Sequence, residues 1–425
     1  MNLNDLKGKK LLVLSGVGSH MKVVDAAHEL GIYVIVADYL EPSLATPAKF
    51  LADENWSDSV LDIDTIVERC RKEHVDGIIS CNSDITQIPY YRICSELELP
   101  CYGNEELFLK MSNKSLFKDI CRKYELDVIE EYCSEDIQKG TIKYPVFVKP
   151  VDGMGSKGQS ICNHQEELEA AVLYAQQFSR TKEILIERYI ANTNSFQATY
   201  FFVNGEAYLL RTADGYKGEC KDSLDRVALC SLSPSVYTDE FRKKANDKFI
   251  KMLKDLGYKN GPVMVQAFYE NGVFRFYDPG LRFPGTDFEL ILKEVYGIDF
   301  MKAMVIYAMT GRLPELNISN EICRLDGKKA AVLYPTLGEG EISAVFGLED
   351  VKTYKNVCAI NQRYQKGDYV QITNTTRQRL AEIDVLCENM VELKETIKSI
   401  QRCIDAIDSE GNSLLYMPFD VDRLP

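Results

Sequence analysis

Between Tyr144 and Ser160 the chain reads YPVFVKPVDGMGSKGQS. A β-branched run delivers Lys149 at a strand end, and the loop after it carries Gly153, Gly155 and Gly158 with Ser156 and Lys157 among them. Glycines permit positive φ and let backbone N–H groups close on an anion, while lysines add charge, so the pattern suits a nucleotide's phosphates. It is not a Walker loop, which needs Gly-Lys-Ser/Thr ahead of a helix, nor a dinucleotide fingerprint, which follows a first strand. Taken alone it fits a flexible hairpin with solvated lysines better. About thirty residues on, Ile184-Leu-Ile-Glu187-Arg188-Tyr189-Ile190 is an apolar strand closing on a carboxylate and an aromatic. About eighty residues beyond that, VMVQAFYENGVFRFYDPGLRFPG is a hairpin whose second strand ends near Asp278 and Arg282.

These segments need elements to position them. The first hundred residues alternate short apolar runs with helical stretches: strands over Leu11–Leu14, Tyr33–Ala37 and Gly77–Ser80, helices over His20–Leu30, Asp64–Glu73 and Thr86–Leu97. Such a βαβα rhythm predicts an α/β unit with a parallel sheet, its crevice beyond the strand carboxyl ends at Gly16-Val-Gly18, Asp38 and Asn82-Ser83-Asp84. A connecting helix is expected over Asn113–Tyr124. Antiparallel pairs follow, over Val146–Lys149, Glu183–Glu187, Gln197–Val203 and Ala207–Arg211, with Asn204-Gly205 as one turn and Glu270-Asn271-Gly272 as another. Helices are expected over Asp239–Leu256 and Phe288–Thr310, then a β-rich region from Gly327 and a long helix near Val385–Ile407. The stretch from Arg211 to Ser235 reads as a long polar loop.

Lysine strand, glycine loop, E-x-Y-I hinge and a hairpin ending in carboxylate and arginine stand in the order found in ATP-grasp enzymes, and the chain resembles that superfamily over nearly its whole length. It looks closest to the carboxylate–amine ligases related to biotin carboxylase, carbamoyl phosphate synthetase and L-amino-acid ligases. The resemblance implies a pre-ATP-grasp domain over 1–112, an ATP-grasp domain over 113–318 with a lid at about 144–212, and a C-terminal β-rich domain over 319–425. It implies ATP and magnesium as cofactors, small carboxylate and amine substrates, and a homodimer as the assembly to test. Lys114 and Lys149 match the family's phosphate lysines, and residues 153–158 its mobile glycine loop. Glu187 matches the hinge glutamate near the adenine amino group, with the backbone of Arg188 and Ile190 beside the base edge. Asp278 matches a magnesium carboxylate, and Arg282 the arginine that stabilises the transferred phosphoryl group and the acyl phosphate. Arg211, Lys217 and Arg226 border the acceptor region, Arg211 being the candidate for a substrate carboxylate.

Three positions depart from the family pattern. Gln266 stands where a metal acid is usual, Gly280 replaces an asparagine, and Asp278 is shorter than the usual glutamate. Magnesium prefers hard anionic oxygens, so these changes weaken the metal site unless nearby acids such as Asp287 or Glu289 compensate. The ribose glutamate is missing as well, ANTNSFQ offering only Asn194 or Ser195. An alternative is therefore an ATP-binding protein with a degenerate site acting as a regulatory subunit. A third reading, an oxidoreductase using Gly16-Val-Gly18 and Asp38, lacks the last glycine of the fingerprint, position 21 being Met21.

Composition narrows the setting. Fifty lysines and arginines against 64 acids give a net charge of −14, which disfavours nonspecific binding to nucleic acid or anionic lipid. No apolar run approaches the ~18–20 residues of a membrane span. The lysine-flanked start reads as a core strand rather than a signal peptide. Thirteen scattered cysteines without a CxxC, and four histidines, point to reduced buried thiols in a cytoplasmic protein rather than to zinc or disulfides; Cys220 and Cys230 have no histidine near in sequence and are assigned no catalysis.

Overall fold

A computed structural model describes residues 3–153, 157–191, 195–218, 227–373 and 376–425. Near the N-terminus, the strands Lys10–Leu14, Tyr33–Ala37, Glu54–Trp56 and Gly77–Ile79 form a parallel sheet, with Lys10–Leu14 paired on both sides. Leu11 to Leu14 are wholly buried, as a continuous apolar run must be when helices cover both faces. The helices Met21–Glu29, Ile63–Glu73 and Gln87–Glu96 supply that cover. The short strand Glu54–Trp56 has no period-two pattern in the sequence and is recognised only through its register with Ile35–Ala37.

The dominant element is an eight-stranded antiparallel sheet. Its order is Val273–Gly280, Gly261–Glu270, Ser195–Val203, Glu206–Lys217, Ala228–Ser233, Lys329–Leu333, Ala381–Cys387 and Val357–Gln362. Asn204 and Gly205 (φ 51° and 88°) and Asn271 and Gly272 (φ 51° and 80°) make the two tight turns, which need two successive left-handed residues. A second, four-stranded sheet holds Glu131–Tyr132, Ile184–Arg188, Val146–Pro150 and Ser160–Cys162 over its own small core of Val146, Val148, Leu168 and Ile186. The strands over 195–217 pair in the large sheet, and strands from beyond residue 327 extend that same sheet rather than forming a separate one.

Four sequence expectations are corrected. The stretch from Arg211 is not a loop throughout: Glu206–Lys217 and Ala228–Ser233 are paired strands, their buried polar residues having masked the alternation. Phe288–Thr310 is two helices, Phe288–Tyr296 and Phe300–Thr310, separated where Gly297 turns left-handed (φ 69°) and Asp299 caps the next helix by accepting from Lys302 N at 2.8 Å. Val385 lies in a strand, not a helix. Along Ala381–Cys387, Ile383 and Val385 face one core while Glu382 and Asp384 face the other way, and the helix begins only at Met390 behind the Asn389 cap. An unexpected helix, Glu105–Ser112, precedes Lys114–Lys123. Asn113 breaks the two apart, its side chain accepting from Ser115 N and Leu116 N at 3.0 and 3.1 Å.

Among the described residues no helix is long and apolar enough to cross a membrane. The crevice at Gly16 and Gly18 is filled from within. Asp38 accepts from Gly16 N at 2.9 Å and from Leu40 N at 3.0 Å, and a Cβ on Gly18 would stand 2.3 Å from the Asn361 side-chain nitrogen. The carboxylate that a dinucleotide ribose would need is spent on shaping its own loop.

Candidate active site

A cleft of about 700 Å³ opens between the small sheet, the large sheet and the N-terminal unit. It brings together Lys114, Lys149, Gly153, Glu187, Arg188, Ile190, Gln266, Asp278 and Arg282, residues spread over more than 160 positions of sequence. Lys157 is exposed and Gly158 packs beside Phe178; neither lines the cleft. Gly155, Ser156, Asn194, Cys220 and Arg226 lie outside the described residues.

The lysines are held by the elements that carry them. Lys114 opens its helix directly after the Asn113 cap, in the turn where a cation opposes the helix dipole. Its Nζ lies 3.1 Å from Asp278 Oδ1 and donates to the Gly153 carbonyl at 3.0 Å, tying the glycine loop to the large sheet. Burial works against its charge, but Asp278, with Asp84 and Glu187 farther off, outweighs it and raises its pKa. Gly153 is required by close approach, since a Cβ there would stand 2.4 Å from Pro150.

Lys149 lies on Val146–Pro150 with its Nζ 2.8 Å from Glu187 Oε2. Burial draws its pKa down against the pull of Glu187, and the nearby Lys118 and Lys114 add to the depression. The other Glu187 oxygen accepts from Lys118, a fully buried lysine that also donates to the Ile129 carbonyl at 3.2 Å. Burial opposes ionisation of Glu187, yet Lys149 and Lys118 hold its carboxyl below the ordinary range. Glu187 thus serves the lysines, and its side chain is 1% exposed. Lys118 escaped the sequence reading because a mid-helix lysine usually faces water. The signal available was its position four residues after Lys114, on the same helix face.

Arg282 meets Asp84 as a fork, Nε to Oδ1 and Nη2 to Oδ2 at 2.6 Å each, while Nη1 donates to its neighbour's carbonyl at 2.9 Å. Asp84 comes from the crevice of the N-terminal sheet. The glycine at 280 has a spatial reason: a Cβ there would stand 3.0 Å from Asp84 Oδ1 and 3.2 Å from Arg282 Cγ. Gln266 faces Asp278 in strand register. Among the described residues no group of three acids, histidines or cysteines is arranged to hold a metal alone.

Phe147, Tyr189, Phe268 and Tyr277 give the cleft aromatic walls, Phe268 stacking on Tyr277 with centroids 4.8 Å apart. Arg188 is fixed by Glu130 at 2.8 Å and by Glu270 at 3.1 Å. Arg211 does not line the cleft. It is 1% exposed and donates to Ser231, Ser233 and Gln197 hydroxyl and amide oxygens, with its guanidinium 4.5 Å from the Phe288 ring. Burial lowers its pKa. Cys230 is likewise buried, and its thiol is pushed up to about 12. Asp287 and Glu289 both pair with Lys22 and do not line the cleft.

Residues 114–277 match the family model described as the carbamoyl-phosphate synthase L chain, ATP binding domain. The chain is 24% identical to biotin carboxylase 1 of Bacillus subtilis (strain 168) over 351 residues, covering 75% of this chain and 74% of that one. The L-amino acid ligase from Bacillus licheniformis superposes with a TM-score of 0.74 at 18% identity, covering 95% of this chain and 99% of that one. The biotin carboxylase domain dimer of Hydrogenobacter thermophilus 2-oxoglutarate carboxylase superposes with a TM-score of 0.76 at 19% identity, covering 94% and 90%. Over residues 114–277 the chain matches that ATP binding domain, and as a whole it has the fold of these solved structures.

Proposed function

We propose that the chain is an ADP-forming carboxylate–amine ligase that binds ATP in this cleft, with the units 1–112, 113–318 and 319–425 each contributing a wall. The observation that carries the reading is the convergence of Lys114, Lys149 and Arg282 with Asp278 at one end of an aromatic-walled cleft. Relatives named as biotin carboxylase and L-amino acid ligase, and a neighbour described in complex with MgADP and bicarbonate, support it. The adenine stacks among Phe147, Tyr189 and Tyr277 while the two lysines meet the phosphates. A substrate carboxylate oxygen attacks the γ-phosphorus and the bond to the ADP oxygen breaks, leaving an acyl phosphate. Arg282, already oriented by Asp84, holds the charge on the transferred oxygens. An amine then attacks the acyl carbon, loses a proton and expels phosphate. Positioning and electrostatics suffice, so no histidine or cysteine nucleophile is needed. Twelve described cysteines, all free, support a cytoplasmic setting, and the dimeric neighbour supports a homodimer.

Magnesium fits the site only in company with nucleotide: Asp278 offers one carboxylate and Gln266 one amide oxygen, too few donors to hold the ion by themselves. When bound it neutralises charge on the phosphates. Asp278→Asn should accordingly flatten the magnesium dependence of ATP binding, and Gln266→Glu should steepen it. An unchanged dependence in Asp278→Asn would make Asp278 no more than a partner for Lys114. Lys149→Ala should weaken ATP binding by about 1.5–3 kcal/mol, the scale of a charged hydrogen bond; calorimetry showing unaltered affinity would remove Lys149 from the phosphate site. The ligase reading itself is tested by ADP release with ATP, magnesium and mixed carboxylate and amine pools. Release should require both pools, and ATP binding with no release in any pool would contradict it.

A further inference from the structure

Five arginines line the cleft among the described residues: Arg92, Arg180, Arg188, Arg282 and Arg379. The first four are matched by acids. Arg92 pairs with Glu105, Arg180 with Asp152 and Arg282 with Asp84, while Arg188 and its neighbour Arg275 divide Glu130 and Glu270 between them. Arg379 is different. Its one carboxylate is Glu382, and the same oxygen, Oε1, also takes Arg363, at 2.8 and 2.6 Å respectively. Glu382 is 1% exposed and Arg379 8% exposed, whereas the Arg363 side chain is 36% exposed, so of the two guanidiniums only that of Arg379 is withdrawn from water. The Nε atoms of both arginines are buried without a hydrogen-bond partner.

Among the described residues Arg379 therefore has no carboxylate to itself, and a buried guanidinium that shares its acid is favoured by a further anion. The next side chain on that strand face, Asp384, is wholly buried and makes no ion pair with Arg379; burial, with Asp287 and Glu382 nearby, holds its carboxyl above the ordinary range. The Tyr334 ring lies 3.8 Å from the Arg379 guanidinium, fixing its plane. Arg379 lines the cleft, as do Val227 and Ala228 at the start of a strand of the large sheet, whereas the lysine cluster stands on the wall formed by the small sheet and the Lys114 helix.

We propose that Arg379 is a specificity-determining residue that holds an oxyanion of the acceptor other than the carboxylate that reacts, so that the acceptor is a dicarboxylic acid or carries a second anionic group of equivalent geometry. This rests on reading the cleft as a ligase site. A guanidinium held flat by an aromatic ring at a cleft wall favours a planar carboxylate, and the Nη2 atom of Arg379 is the donor left for one once Nη1 is given to Glu382.

The test is calorimetric titration of the full chain without nucleotide. The probes are succinate, glutarate, aspartate and glutamate, with butyrate and alanine as one-carboxylate counterparts and inorganic phosphate as the other source of oxyanion. At least one dicarboxylate should bind roughly tenfold or more tightly than its counterpart, the scale of one charged hydrogen bond. Arg379→Gln should erase that difference and Arg379→Lys restore part of it, with ATP affinity unchanged in both. A preference for phosphate that disappears in Arg379→Gln supports the oxyanion site and makes the group a phosphate. Dicarboxylates binding no better than butyrate or alanine, with phosphate no better either, would overturn the proposal. So would a preference that survives Arg379→Gln. Should Arg379→Gln fail to fold, the wild-type preference and Arg379→Lys decide it. Loss of ATP binding in wild type would sink the ligase reading while leaving the anion result to be judged by itself.

Discussion

Glu187→Gln is expected to destabilise the protein by about 3–5 kcal/mol, the usual cost of removing one partner from a buried ion pair. The size follows from what remains. Lys118 is wholly buried and Lys149 nearly so, and both direct their ammonium groups at the two oxygens of Glu187. Glutamine keeps the shape but supplies one neutral oxygen for two charges. Lys118 retains Glu131 at 3.4 Å, which softens the loss without cancelling it. Because the two lysines hold the Glu187 carboxyl below its ordinary value, the folded state binds that proton less readily than the unfolded chain. Its contribution is therefore complete above the usual carboxylate range and fades as pH falls through the native value. Calorimetric melting of wild type and Glu187→Gln at neutral and acid pH should show a large gap that narrows on acidification. Adding Lys118→Met to the variant should recover part of the loss. Equal melting temperatures at neutral pH would show that the buried charges are satisfied some other way.

The second large effect is on turnover. Arg282→Met should lower the rate of ADP formation on the order of 10²–10³-fold, the range found when one donor to developing charge is removed. ATP affinity should change far less, because Lys114 and Lys149 remain. Asp84→Asn tests the positioning half of the argument. The fork weakens while the guanidinium stays charged, so the expected loss lies between wild type and Arg282→Met. Single-turnover measurement of ADP separates the chemical event from product release. A rate in Arg282→Met within tenfold of wild type would leave Arg282 as a tie to Asp84 and nothing more.

Much of this site was legible because its chemistry follows strand order. Lys149, Glu187, Asp278 and Arg282 sit at the ends of apolar runs, and runs of β-branched residues are read directly from sequence. The N-terminal parallel sheet was legible for the same reason. What sequence could not supply was pairing between distant segments. Glu187 lines the cleft as expected of the hinge position, but its tie to Lys118, in a helix 69 positions earlier, was not readable from sequence. Gly280 looked like a lost ligand, whereas it makes room for Asp84, nearly two hundred residues away in sequence. Arg211 was matched to the acceptor region through the resemblance, and its burial was hidden because the buried polar residues Thr212 and Asp214 on its strand, with Ser231 and Ser233 on the next, read as a polar loop. The helix expected from Val385 failed on a different ground. Glu382 and Asp384 alternate with Ile383 and Val385 in the period-two pattern of a strand, and the expected helix was begun inside that pattern instead of at the Asn389 cap.

A carboxylate that is phosphorylated in this cleft before an amine takes it gives up one of its oxygens to phosphate. The most direct measurement is the fate of carboxyl oxygen. Carboxylate substrates labelled with heavy oxygen in both positions are supplied with ATP, magnesium and amine, and the released phosphate is analysed by mass. Attack by the carboxylate on the γ-phosphorus carries one labelled oxygen into each phosphate when the amine displaces it. One heavy oxygen per phosphate is expected, in step with ADP and dependent on the amine. Phosphate without label, formed alongside ADP and a ligated product, would contradict it.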